Sequence, residues 1–191
     1  MSEKLPSRRE ALQLLHKSGC SENVIKHCKA VAKLAVEIAE KCKEKGLNVN
    51  IKLVEIGALL HDIGRAKTHS VNHVIVGAKI AEAYGLPKPI ISIIKRHAGG
   101  GISMEEAEKL GWPKDIYIPQ TLEEKIVSYA DKLIDGAKRV PIEKTIKEFS
   151  EELPPDAVAR LKKLHEEITN LIGDTNVYIT ISRKSIQSHP T

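Results

Sequence analysis

His61 and Asp62 stand side by side at the end of an apolar run, Leu59-Leu60-His61-Asp62-Ile63-Gly64. An imidazole and a carboxylate at the end of a buried helix are costly to desolvate unless something pairs with them. A metal ion would pair with both. His27, His73, His97 and Asp131 offer the same two chemistries elsewhere in the chain. His27 lies about 40° from Val31 at roughly 100° per residue, so it points with an apolar stripe toward the core. His73 opens one expected helix and His97 ends another. Asp131 interrupts the apolar run of Ile126, Val127, Ala130, Leu133 and Ile134. Taken singly, each has a plain structural reading: a hydrogen-bonded core histidine, a histidine at a helix end, or a surface carboxylate. Taken together, they put a His or Asp at a core edge or inward helix end on five helices, the way bundles build di-metal sites. Mixed imidazole and carboxylate ligands suit a divalent transition metal, Mn, Fe, Co, Ni or Zn, with Mg also admitted.

The positioning elements are helices. Pro6–Lys17 reads as a first helix capped by Ser7 and ended by Gly19. Ser21 caps a long helix to about Lys45, whose Val24, Cys28, Val31, Ala35, Ile38 and Cys42 step by four and three. Asn48 or Asn50 starts the helix that runs up to His61-Asp62. The stretch 65–71 is polar and reads as a loop. Helices follow over about 72–84, 90–96 and 103–110, the last with a Ser103/Glu106 capping box. A helix is expected over Leu122–Ala137, another from Pro141 as its first residue to about Glu152, and a last over Asp156–Ile172. The tail alternates Val177, Ile179 and Ile181 with Tyr178, Thr180 and Ser182, a strand pattern and so a short extended arm. Gly99-Gly100-Gly101 follows His97 directly. It can bring backbone to a phosphate, hinge a lid or simply turn the chain.

The fold class is therefore all-α: a helical bundle with a five-helix core, additional helices and a short extended C-terminal arm. We expect a single domain over 1–191, with its core at about 21–139, a helical appendage at 140–173 and an extended tail at 174–191. At 191 residues and 41% hydrophobic the chain can bury one proper core. Only 3% of residues are aromatic, which argues against a base-stacking platform of the RNA-binding kind. The formal charge of +5 admits an anionic partner without demanding one. Cys20, Cys28 and Cys42 form no CxxC pair, and no apolar run approaches the roughly 20 residues that span a bilayer. Reduced thiols, a cytoplasmic location and no membrane partner are expected.

The order His27, His61-Asp62, Asp131 resembles the HD superfamily of metal-dependent phosphohydrolases, and His61-Asp62-Ile63-Gly64 is similar to its HDIG variant. The resemblance covers about Ser21–Arg139. The whole chain resembles an archaeal group of HDIG proteins of unassigned function, through Leu14-Leu15-His16-Lys17-Ser18-Gly19-Cys20 and Leu122-Glu123-Glu124-Lys125-Ile126-Val127. The resemblance implies an HD-domain bundle in which His27, His61, Asp62 and Asp131 bind a metal. His73 and His97 resemble the extra histidines of members that hold two ions, with Asp62 as the bridge. The layout is similar to bacterial HD-type diadenosine tetraphosphate hydrolases, except that Ala98 stands where a Thr usually follows the second histidine. The His-His-Glu and Gly-Tyr-Pro of the cyclic-di-nucleotide branch are absent, which lowers that substrate class.

What this implies is a phosphohydrolase cleaving a phosphoester or phosphoanhydride bond by metal-activated hydroxide, with one or two ions. The substrate would be a phosphorylated small molecule, a nucleotide or dinucleotide first. Phosphate removal or phosphodiester cleavage at RNA or tRNA ends is the alternative. A non-catalytic nucleotide-sensing module is a further one. Asp62 and Arg65 are the expected catalytic residues. Arg65, Lys67, Arg96, Lys132 and Arg139 are the candidate substrate-binding cations, with Arg65 foremost because it follows the ligands closely and stays charged. A monomer or homodimer is expected.

Overall fold

The structure is a computed structural model in which residues 4–173 are described. The expected tail arm, 174–191, lies outside the described residues. In chain order the elements are α1 (Arg8–Ser18), α2 (Glu22–Glu44), α3 (Ile51–Leu60), a 3-10 turn (Ile63–Ala66), α4 (His73–Ala83), α5 (Lys88–Arg96), α6 (Met104–Lys109), α7 (Leu122–Lys132), a hairpin of β1 (Ile134–Asp135) and β2 (Lys138–Arg139), α8 (Ile142–Glu152) and α9 (Pro155–Ile172). The architecture is all-α.

The helix starts follow from side-chain caps. Ser7, Ser103 and Thr121 each accept a hydrogen bond from the backbone N–H of the third residue of α1, α6 and α7, and the glutamate there accepts one from the cap backbone N–H. Ser21 and Asn50 cap α2 and α3. Helix α2 is the spine. Its buried face, including Val24, Cys28, Val31, Ala35, Ile38 and Cys42, packs against α3 and α7. Helix α3 is apolar almost all round and sits in the middle, against α1, α2, α5 and α7. Leu161, Leu164, Ile168 and Ile172 of α9 and Ile142 of α8 join the same hydrophobic cluster. Each fully buried Leu or Ile contributes about 1.5–3 kcal/mol.

Three local readings change. The expected helix over 122–137 stops at Lys132, because the chain reverses in the hairpin with Ile134 opposite Arg139 and Asp135 opposite Lys138, turning at Gly136 with φ 58°. Apolar spacing could not see this, since Leu133 and Ile134 continue the helical stripe while being buried in the reversal. The stretch 65–71 is in part a 3-10 turn rather than loop throughout. Pro141 caps α8 from outside instead of occupying its first position.

Two glycines set close approaches. A Cβ on Gly64 would overlap the His73 carbonyl oxygen and the Gly77 nitrogen. The 3-10 turn therefore lies directly on the first turns of α4. A Cβ on Gly100 would stand 2.6 Å from the Leu161 nitrogen. Gly100 is thus where the glycine run packs against α9, while Gly101 approaches Ile118 and Pro119.

Candidate metal centre

Each of the six singled-out His and Asp side chains is delivered by a helix end or a long helix. His27 comes from the first turns of α2, and His61-Asp62 from the C-terminal end of α3. His73 opens α4, His97 caps α5, and Asp131 lies in the last turn of α7. The close seat of Gly64 on α4 brings His73 beside Asp62. Packing of α5 against both α3 and α4 adds His97.

The imidazoles share one arrangement. The Nδ1 of His27, His61, His73 and His97 lies 2.8, 2.7, 2.8 and 2.8 Å from the carbonyl oxygens of Gly136, Ala58, Ser70 and Ile94. A carbonyl only accepts, so every Nδ1 is the donor, and every neutral ring carries its lone pair on Nε2. All of these Nε2 atoms face inward. His73 Nε2 and His97 Nε2 stand 3.2 and 3.4 Å from Asp62 Oδ1. His61 Nε2 and His27 Nε2 lie 3.7 and 3.8 Å from Asp62 Oδ2, and 3.5 and 2.9 Å from Asp131 Oδ1. Asp62 thus turns one oxygen to each histidine pair.

The donor set has the chemistry of a metal site. His73 Nε2 and His97 Nε2 are 3.0 Å apart, lone pair toward lone pair. His61 Nε2 and Asp62 Oδ1 are buried and make no hydrogen bond. Burial pushes His97 down to about 4, and the neighbouring rings of His61 and His73 add to this against the pull of Asp62. At neutral pH a proton on His97 is therefore not what relieves the contact. Borderline donors converging on two carboxylates fit a divalent transition metal. His27, His61 and Asp131 form one group able to hold an ion, and His61, Asp62 and His97 another.

The carboxylates are held ionised. Burial alone would raise Asp62, but the nearness of His61, His73 and His97 outweighs it and holds Asp62 well below the usual carboxylate range. Asp131 is likewise buried, and Lys132, His27 and His61 hold it well below that range. His27 goes the other way from His97. Burial lowers it, but the hydrogen bond and charge of Asp131, with the charge of Asp62, leave it raised.

A cleft of about 400 Å³ opens on one side of the cluster, with His27, Asp62, Arg65, Asp131 and Lys132 at its floor. Arg65 Nε donates to Asp62 Oδ2 at 2.7 Å, and Lys132 Nζ to Asp131 Oδ2 at 2.5 Å. The other candidate cations do not line this cleft. Lys67 is exposed outside it. Arg96 grips both oxygens of Glu124 at 2.8 and 2.9 Å, and Arg139 both oxygens of Glu37 at 2.6 Å. These two are structural ties between helices or hairpin and helix. Sequence reasoning missed the cleft wall: Thr145, Glu148 and Phe149 of α8, with Ile134, Asp135 and Val140 of the hairpin. The hairpin's reversal, which carries it there, is signalled by the Asp135-Gly136 turn dipeptide, not by the apolar spacing.

Known proteins place the chain. The HD-domain family model matches residues 24–135. An uncharacterized protein of Methanocaldococcus jannaschii is 47% identical over 85% of this chain and 97% of its own. A tRNA (cytidine(56)-2'-O)-methyltransferase of Thermoplasma volcanium is 42% identical over 88% of this chain, and a ribonuclease Y of Aquifex aeolicus 29% identical over 92%. The chain spans 48% of that methyltransferase and 26% of that ribonuclease. The HD domain of the L. monocytogenes phosphodiesterase PgpH, solved with cyclic-di-AMP, shares the fold with a TM-score of 0.54 at 20% identity, over 88% of this chain and 97% of that one. The chain belongs to the HD-domain phosphohydrolase family.

Proposed function

We propose that this protein is a metal-dependent phosphohydrolase that cleaves a phosphoester or phosphoanhydride bond of a nucleotide or dinucleotide. The observation that carries this is the set of inward Nε2 lone pairs, each fixed by a backbone carbonyl on Nδ1, around two ionised carboxylates at the floor of an open cleft. His27, His61 and Asp131 would hold one ion and His73 and His97 a second, with Asp62 between them. A bound divalent metal there supplies an acidified water and neutralises phosphoryl oxygens. The chain's own groups do the rest. Arg65 fixes the Asp62 carboxylate through Nε and lays its guanidinium charge along the cleft, where a phosphoryl group would gain negative charge in the transition state. Asp62, ionised and flanking the cleft, or another polar group there would accept a proton from water drawn to the floor. Lys132 adds a second positive charge beside Asp131.

The test is elemental analysis followed by a turnover screen. Nucleoside mono-, di- and triphosphates, cyclic nucleotides, dinucleoside polyphosphates and RNA ends would be offered with Mn, Co, Ni, Fe, Zn and Mg. Asp62→Ala should lose the bound metal and at least about a thousand-fold in turnover. Full turnover in that variant would sink the mechanism. A second reading, phosphate or phosphodiester hydrolysis at RNA or tRNA ends, is favoured by the names of the relatives matched over most of this chain. RNA binding that falls steeply with salt would select it over the first.

A further inference from the structure

The cleft is larger and chemically more varied than a phosphate needs. About 400 Å³ is within the size of a small-ligand site. Its floor is charged, while its wall mixes apolar Val24, Ile134, Val140 and Phe149 with polar Asp135, Thr145 and Glu148. Phe149 is the single Phe of a chain that is only 3% aromatic. Its ring presents a face toward Lys132, whose Nζ lies 5.8 Å over it, and both residues line the cleft.

We propose that the wall formed by α8 and the hairpin is a nucleoside-binding face, which takes the base and sugar of a nucleoside phosphate while Arg65 and Lys132 meet its phosphate. This rests on the phosphohydrolase reading above and deepens it. The wall is fixed relative to the floor. Thr145 Oγ1 donates to the Lys132 carbonyl at 2.7 Å, Lys144 pairs with Asp135, and Ile142 is buried in the main core. An aromatic face beside aliphatic walls suits a base, because every base has a π-face. The rim of the cleft carries Asp135 and Glu148, with Lys144 between them. Two rim carboxylates accept hydrogen bonds from exocyclic amino groups. The cleft, at about 400 Å³, holds a ligand of small-molecule size, so the ligand is a small nucleotide rather than the interior of an RNA.

Calorimetric titration of the full chain with Mn²⁺ tests this, with AMP, CMP, UMP, ribose 5-phosphate and a five-residue oligoribonucleotide as probes. The mononucleotides should bind about tenfold more tightly than ribose 5-phosphate. Phe149→Leu keeps an apolar side chain in the core and should remove that difference while leaving ribose 5-phosphate binding unchanged. Circular dichroism confirms that the variant folds. Joint replacement Asp135→Asn and Glu148→Gln should erase any preference for CMP over UMP. Equal wild-type affinity for AMP and ribose 5-phosphate overturns the nucleoside face, as does a difference that survives in Phe149→Leu. Tighter, salt-sensitive binding of the oligoribonucleotide overturns the small-nucleotide assignment. Selective nucleotide binding without turnover of any phosphoester leaves the face standing and removes the hydrolase reading. Turnover without base selectivity does the reverse.

Discussion

His97 and His27 face the same carboxylate from opposite ends of the cluster, and their surroundings differ. His97 is sealed, with 2% of its side chain exposed, whereas His27 keeps 17% and looks into the cleft. Burial drives His97 down to about 4, while at His27 burial is outweighed by Asp131 and Asp62 together, which leave it raised. The sealed end therefore keeps its imidazole neutral, with the Nε2 lone pair always available. At the open end a proton competes for the same lone pair. In the proposed metal centre one residue type would thus serve two purposes: a sealed inner ligand, and an outer ligand next to the cleft where a proton competes for the lone pair.

Metal content is the largest lever on this contrast. His97→Ala should remove one equivalent of bound metal and lower turnover about a hundred-fold, while His27→Ala should empty the outer seat and leave the inner one. Elemental analysis of the two purified variants reads this directly. Unchanged metal in His97→Ala would reduce the centre to a single ion and erase the inner seat.

Stability against pH in the presence of chelator is a smaller and sharper probe. His97 has a folded value of about 4 against an ordinary 6.5, so the unfolded chain takes up its proton first as pH falls. That contribution, about 3 kcal/mol, is present above pH 6.5 and is lost between about 6.5 and 4. Asp62 and Asp131, both depressed, add a further loss below their ordinary 3.8. His27, raised, has the opposite sign: its contribution is full below its ordinary 6.5 and fades as pH rises through its folded value. Urea denaturation from pH 8 to 4 should show a net decline on the acid side. His97→Asn should flatten it, and an unchanged slope would mean that His97 is not the sealed neutral ring described here.

The smallest expected effect separates cations that line the cleft from those that do not. Arg139→Ala should leave turnover within about twofold, because its guanidinium is spent on Glu37. Arg65→Ala should cost about a hundred-fold. Steady-state kinetics on the two variants, with equal metal loading, decides it. A large loss in Arg139→Ala would return that residue to the substrate.

Much of this was legible along the chain. The stripe of α2, the caps at Ser7, Ser21, Asn48 or Asn50, and Ser103, and the punctuation by Gly and Pro locate the helices, because these signals act within a turn or two of the backbone. The six His and Asp residues could be gathered into one hypothesis because each falls at a helix end or on an inward face. The cations fared differently. Arg65 and Lys132 are tied to their site by chain neighbours, Asp62 and Asp131. Arg96 adjoins His97 and Arg139 follows Asp131 by eight positions, yet they pair with Glu124 and Glu37, which lie 28 and 102 positions away. A long, flexible cation follows the nearest carboxylate in space, and sequence spacing does not report that.

By itself, the sequence determined the helical class, the helix starts and the residue types able to bind a metal, all of which depend on local propensity and period. Only the tertiary structure decided that Gly64 lets α4 close onto the 3-10 turn, which sets His73 against Asp62 and Nε2 against Nε2. It also decided that the hairpin turns α8 back over the cleft to make Phe149 its wall. Both are contacts between backbones brought together by packing, where no side-chain pattern along one segment records the partner.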